Sequence, residues 1–367
     1  MNKICVYAIA KNEEKFAEQW YNSVSKADLV IVLDTGSTDN TVQMLRSLGA
    51  EVHEKQYEHF RFDIARNDCL DLVPEEYNIR VSIDLDEMFE KDDWADILRD
   101  KWDEENPRVI YSYVWAHNEG GAPGLQFVLN KIHGIDPNLR WEGAVHEHLM
   151  NMITHERTFD KFIDLRDEIT VHHYADQEKD RMFYKDLILE RIKDNPNDYQ
   201  SLILAGNEFR VKGNSEDAIP YYKEVLNNFK DKCSENELAG VYYALGQSYM
   251  NTNQAVEAFK AYSMGIAVNK FYRDNYYGLG ILLINNRMYK MAIGVLEEGL
   301  KTSLRQYFWM EDNYTWSFGL LDALACAYNG DGQTDKALSY AARALKYEPT
   351  NEGLLRNYNT YLQALEN

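Results

Sequence analysis

Residues 29–41 read LVIVLDTGSTDNT, five apolar residues that stop at an acid and break into small polar ones. The run predicts a buried strand, and Asp34-Thr35-Gly36-Ser37-Thr38-Asp39 predicts a tight turn whose Ser, Thr and Asp cap a following helix. Thr41, Met44, Leu45 and Leu48 then recur at helical spacing until Gly49 closes the element. Upstream, residues 3–10 are a second mostly apolar run, and Phe16, Trp20 and Val24 fall four apart on one helix face. Downstream, residues 80–85 form a third strand that ends on Asp84-Leu85-Asp86-Glu87. This alternation implies a parallel sheet covered by helices, with ligands held at the carboxyl ends of the strands. Further strands are expected at 109–115 and 168–171, with extended stretches flanking 141–148. A Gly-rich loop runs through 118–124, and His172-His173-Tyr174 follows the last strand.

On an extended chain Asp84 and Asp86 point to the same side and can converge on one cation and one sugar. Hard oxygen ligands suit Mg²⁺ or Mn²⁺, which keep waters and share substrate phosphates, and a diphosphate leaving group needs that neutralisation. Ser37 to Asp39 are accounted for by helix capping alone, whereas Asp34 is free in this reading to hold a nucleoside at the crevice. Trp115 and Trp141 are expected to pack, with stacking on a sugar face as the alternative.

The chain has 367 residues, enough for two domains, and 45% of them are hydrophobic. Its net charge of −21 would repel a phosphate backbone, so a nucleic-acid partner is not expected. Four scattered cysteines with no CxxC pair fit a reducing cytoplasm. No apolar run approaches the roughly 20 residues needed to span a bilayer, and no leader is read at the N-terminus.

From residue 180 the pattern becomes paired helices. Gly206, Phe209, Ala218 and Tyr222 recur as Gly246, Tyr249, Ala258 and Tyr262, then as Gly280, Leu283, Ala292 and Leu296. A fourth set is Ala325, Tyr328, Ala337 and Tyr340. The shared alanines stand 40, 34 and 45 residues apart, close to the roughly 34-residue tetratricopeptide period with short insertions. Residues 353–367 read as a terminal capping helix. The expected organisation is an α/β domain over 1–179 and an all-α solenoid over 180–367. Such an array serves a peptide acceptor or dimerisation to a homodimer.

Four motifs in order, Ala10-Lys11-Asn12-Glu13, residues 34–41, Phe62-Asp63-Ile64-Ala65-Arg66-Asn67 and Ile83-Asp84-Leu85-Asp86-Glu87, resemble family 2 glycosyltransferases of the GT-A fold. With Val145-His146-Glu147, His172-His173-Tyr174 and the repeats, the chain is similar to the branch that includes peptide S-glycosyltransferases. The resemblance implies a Rossmann-like, mostly parallel sheet. It implies that Ala8, Glu13, Asp34 and Arg66 line a nucleoside pocket, that Asp84 contacts the ribose, and that Asp86 and His173 hold Mn²⁺ or Mg²⁺. The loop around Gly120 would close the site. Glu147 would be the general base of an inverting transfer from a UDP-sugar to a peptide, protein or surface glycan.

This sequence departs from the family pattern at three places. His146-Glu147 replaces the family's Glu-Asp, which leaves His146 as the alternative base, and His172 is the alternative to His173. Lys131-Ile132-His133 stands where an Arg-containing strand is expected. Two other functions fit less well. A sugar-phosphate nucleotidyltransferase would show a basic Gly-rich loop after the first strand, and Ala10-Lys11-Asn12-Glu13 is not one. A non-catalytic repeat scaffold would not need the Asp84, Asp86 and His173 set.

Overall fold

The computed structural model describes residues 2–117, 123–153, 162–174, 176, 184–303, 305, 310 and 312–366. It divides into two compact units, Met1–Asp194 and Asn195–Asn367.

In the first unit β1 (Ile4–Ala10), α1 (Glu14–Val24), β2 (Leu29–Asp34) and α2 (Thr41–Leu48) alternate as expected, and β3 (Glu51–Glu54) and α3 (Phe62–Leu70), which were not expected, precede β4 (Ile79–Ser82). Then come β5 (Glu87–Phe89), α4 (Trp94–Lys101), β6 (Arg108–Val114), β7 (Gln126–His133), β8 (Leu139–Glu142), β9 (His148–Asn151), β10 (Ile163–Asp164), β11 (Thr170–His173) and α5 (Tyr184–Asp194). The main sheet runs β3-β2-β1-β4-β7-β6-β11-β5, with β10 also paired to β6, while β8 and β9 form a separate ribbon. Strands β3, β2, β1 and β4 are parallel; β7 is antiparallel to both β4 and β6, and β5 to β11. Strands β1 and β2 are the part the sequence made plain, because they are apolar on both faces. In β1, Ile4, Val6 and Ala8 face the core of α1 and α4, while Cys5 and Tyr7 face that of α3 and the ribbon. Strands β3 and β7 have only partly buried residues over most of their length and lack a continuous apolar run.

One expectation is corrected here. The strand expected over 80–85 ends at Ser82, and Asp84 and Asp86 lie in a turn instead of on extended chain. Glu87 N–H donates to the Asp84 carbonyl at 2.9 Å, and Asp84 N–H donates to the Glu87 carboxylate at 3.0 Å. These two bonds fold the acidic motif back on itself. The division between units also falls one helix later than the expected 179/180. Helix α5 belongs to the first unit because Arg191 Nη1 donates to the carbonyls of Val145 and His146, each at 2.9 Å.

The second unit is helical: α6 (Tyr199–Val211), α7 (Ser215–Asn228), α8 (Glu235–Asn251), α9 (Ala255–Val268), α10 (Arg273–Asn285), α11 (Tyr289–Lys301), α12 (Asn313–Trp316), α13 (Gly319–Gly330), α14 (Thr334–Ala344) and α15 (Glu352–Glu366). The four shared alanines are each fully buried in the second helix of a pair. In the first three pairs the glycine of the first helix faces the large residue four positions beyond the alanine. A Cβ on Gly206, Gly246 or Gly280 would lie 2.6 Å from Tyr222, 2.5 Å from Tyr262 or 2.4 Å from Leu296. Tyr262 is held from both sides, since a Cβ on Gly278 of the next pair would approach it to 2.3 Å. The tetratricopeptide-like pattern is thus a packing rule: the large side chain of one helix fills a notch left by glycine in its neighbours. The longest alanine spacing holds an insertion before α13, pinned where Asp274 of α10 accepts the Asp312 N–H at 2.9 Å.

Gly246→Val should overpack this notch and lower stability by about 1–3 kcal/mol. Urea denaturation followed by helical circular dichroism measures it, and an unchanged midpoint would show that the ring has room to move.

Candidate functional site

The loop after β1 and the loop after β2 are built on each other. Asn12, at φ 54°, accepts the Thr38 N–H on its Oδ1 at 2.8 Å and donates its own N–H to Ser37 Oγ at 2.8 Å. Glu13 N–H donates to Thr41 Oγ1 at 2.8 Å. Asp34 accepts the N–H groups of Gly36 and Ser37 at 2.9 and 2.8 Å, and its other oxygen takes the Ser37 hydroxyl. Its carboxylate thus closes its own turn and is 2% exposed. It is not at the surface of the cleft described next, and neither is Ala8, which lies in the core under β1.

A cleft of about 770 Å³ opens at the carboxyl ends of β1, β2 and β4. One wall is Ile9, Ala10, Lys11, Asn12, Glu13 and Thr35; the floor includes Arg66, Asp84 and Asp86. The opposite wall is aromatic, with Phe60, Phe62 and Tyr184, the last two rings stacked at 5.6 Å between centroids. Of the residues expected in the nucleoside pocket, the structure brings Glu13, Arg66 and Asp84 to this cleft.

Helix α3 organises the floor. Asp63 accepts the Gly143 N–H at 3.1 Å, Phe62 N–H donates to the Ala144 carbonyl at 3.0 Å, and Asn67 exchanges two 2.9 Å bonds with the backbone of Trp141. These contacts draw the stretch 141–147 against α3. Gly143 has φ 115°, and a Cβ there would meet the Arg191 guanidinium at 2.7 Å, so only glycine fits. The result sets Glu147 against Arg66. Arg66, 4% exposed, pairs through Nε with Glu147, and through Nη2 with Asp84 at 2.8 Å. Its guanidinium also lies over the Trp141 ring, 5.1 Å from the centroid. Trp141 is buried and donates its indole N–H to Tyr7, so it packs and does not offer a face to a sugar.

Lys131, on β7, was missed as a site residue. Its Nζ lies 2.8 Å from Glu87 and 3.3 Å from Asp84. Burial works against its charge, yet Asp84 and Glu87 outweigh that and raise it above its ordinary value. Burial likewise opposes ionisation of Asp84, but Arg66 and Lys131 hold its carboxyl well below the usual 3.8. The readable signal was a lysine inside the strand QFVLNKIH, where a buried ammonium demands a carboxylate.

Asp86 lies apart from these cations. His173 Nε2 is 3.4 Å from its carboxylate, and His173 Nδ1 is 3.0 Å from the Trp115 carbonyl, the arrangement in which Nδ1–H donates and Nε2 faces Asp86. The Trp115 ring stacks on His173 with 4.5 Å between centroids. Burial lowers the basicity of His173, and the hydrogen bond and charge of Asp86 reverse this and raise it. His172 turns instead to His117, with 2.9 Å between ring nitrogens. Among the described residues no group of three or more His, Cys, Asp or Glu is disposed to hold a metal. Asp86 and His173 make a mixed oxygen and nitrogen pair that fits Mn²⁺ or Mg²⁺ only if substrate phosphate and water complete the shell. The loop around Gly120 lies outside the described residues.

Residues 5–162 match the family model described as glycosyl transferase family 2. The first unit carries a family 2 glycosyltransferase domain. Its cleft lies where open α/β sheets hold their ligands. The chain is 26% identical over 236 residues to the SPbeta prophage-derived glycosyltransferase SunS of Bacillus subtilis (strain 168), and equally to the glycosyltransferase SunS of Bacillus phage SPbeta. Each alignment takes in 60% of this chain and 53% of the relative, so the chain spans about half the length of the curated relatives it matches. Among solved structures it is similar to a thermophilic tetratricopeptide protein of Thermus thermophilus, at 19% identity and a TM-score of 0.38, covering 49% of this chain and 89% of that one. Among the described residues no helix is long and apolar enough to cross a membrane.

Arg66→Ala should leave Asp84 and Glu147 as carboxylates without their shared cation and cost about 3–5 kcal/mol. Urea unfolding measures it; a loss below about 1 kcal/mol would mean that the triad is not an energetic unit.

Proposed function

We propose that the protein transfers a sugar, with inversion, from a UDP-linked donor to a peptide, protein or surface-glycan acceptor in the presence of Mn²⁺ or Mg²⁺. The observation that carries this reading is one cleft, in a domain matched to family 2, whose floor holds Arg66, Asp84 and Asp86 with His173 against Asp86. In this reading Asp84 accepts a ribose hydroxyl, and its ion pairs fix the direction of its lone pairs. Glu13 and Thr35 face the nucleoside from one wall, and Phe62 and Tyr184 offer a flat apolar surface from the other. Asp86 and His173 Nε2 would hold the divalent cation, which when bound neutralises charge developing on the diphosphate. Ala8 and Asp34 act through the backbone they support. Thiols that stand free at all four cysteines suit a cytoplasmic setting, and the repeat unit is proposed to receive the acceptor.

Purified protein offered UDP-glucose, UDP-galactose, UDP-N-acetylglucosamine and the GDP-sugars with Mn²⁺ tests the reading. Binding and slow hydrolysis of a UDP-sugar are expected, and Asp86→Ala should abolish Mn²⁺-dependent UDP binding. If no donor is bound, or the variant binds UDP and Mn²⁺ normally, the assignment fails.

Glu147 is proposed as the base that removes the acceptor proton, which requires its pair with Arg66 to open. Glu147→Gln should then lower transfer by about 10²–10⁴-fold while keeping UDP affinity within a few-fold. Equal loss of both would make Glu147 a support for Arg66 and leave His146 as the base to test.

A further inference from the structure

The three acids of the 84–87 turn are not equivalent. Asp84 is held by Arg66 at 2.8 Å and Lys131 at 3.3 Å. Glu87, 2% exposed, accepts from Lys131 at 2.8 Å, from the Tyr113 hydroxyl at 2.6 Å and from the Asp84 N–H at 3.0 Å. Among the described residues Asp86 meets no lysine or arginine side chain; its partner is His173. Lys131 is not among the residues that line the cleft, and its Nζ is 6.0 Å from the centroid of the Tyr113 ring.

Three carboxylates on a four-residue turn would suffice for most of a divalent-cation shell. Mn²⁺ and Mg²⁺ want about six ligands, mainly oxygens, and an acid engaged by an ammonium cannot turn to a metal without leaving that cation buried and unpaired. The one remaining carboxylate and one imidazole are too few to retain a hydrated cation firmly. A diphosphate supplies the missing oxygens and charge.

Resting on the donor reading above, we propose that Lys131 is a positioning residue that keeps Asp84 and Glu87 out of the metal shell, so that the divalent cation is retained only together with the donor's diphosphate. The lysine thus makes metal occupancy report the presence of substrate. It also preserves Asp84 for the nucleoside.

Mn²⁺ titration followed by the electron paramagnetic resonance of the free ion, at pH 8 with and without UDP, tests this on the full chain. The wild type should bind Mn²⁺ alone weakly and at least about ten-fold more tightly with UDP. Lys131→Met should bind Mn²⁺ alone about ten-fold more tightly than wild type, because Glu87 is released from its ammonium, Asp84 is left with Arg66 alone and the site gains one unit of negative charge. Lys131→Arg should match wild type. Glu87→Gln, which keeps the lysine, should be no tighter, and the double variant K131M/E87Q should fall back toward the wild-type value. A lysine that merely supported the fold would weaken Mn²⁺ binding when removed. Unchanged or weaker nucleotide-free binding in Lys131→Met overturns the proposal, as does wild-type Mn²⁺ binding indifferent to UDP when UDP itself is bound. Should Lys131→Met not fold, the wild-type comparison and Glu87→Gln still decide it. Failure of the protein to bind any UDP or GDP would defeat the donor reading, whereas the gain in Lys131→Met would still support the role of the lysine.

Discussion

Arg66 carries a full positive charge into a site from which water is almost excluded, and the first unit is arranged around satisfying it. Its Nε takes Glu147, its Nη2 takes Asp84, and its flat face lies over Trp141. Those three partners arrive from different parts of the chain. A buried guanidinium with a missing partner costs several kcal/mol, so one residue on α3 dictates how the turn after β4 and the segment before β9 must approach. The planar fork is what allows one cation to set two carboxylates at fixed directions.

Much of this was legible in the sequence, for reasons that differ by element. Strands β1 and β2 were readable because they are apolar on both faces, and α1 and α2 because their apolar residues keep helical spacing. The repeats were readable because the notch and the side chain that fills it recur together. Strand β7 was expected only through the family resemblance at Lys131-Ile132-His133 and not from its own pattern, since its residues are mostly half-buried. With it went Lys131, the one cation that decides how the acids of the turn are shared.

The motifs that carry the family resemblance do different work in the structure, residue by residue. Asp34 looked like a ligand because it ends a strand at the crevice, yet its oxygens are spent on Gly36 and Ser37. Asn12, Ser37 and Thr38 bind one another, and Thr41 takes the Glu13 N–H. Much of what makes the pattern recognisable is therefore loop carpentry that shapes a cleft rim. The acidic motif was expected on extended chain, with Asp84 and Asp86 converging from the same side. The turn formed with Glu87 separates them, sending one carboxylate to cations and the other to a histidine.

The clasp between Gly143 and Arg191 bears on where this protein can be cut. Arg191 of α5 reaches back to the carbonyls of Val145 and His146, and Gly143 leaves the space it occupies. A fragment ended at residue 179, where the composition first turns helical, would strip both carbonyls of their donor and loosen the segment that bears Glu147. One ended after Asp194 keeps the clasp. The modular border of the first unit is set by a hydrogen-bond debt, not by the place where helices begin.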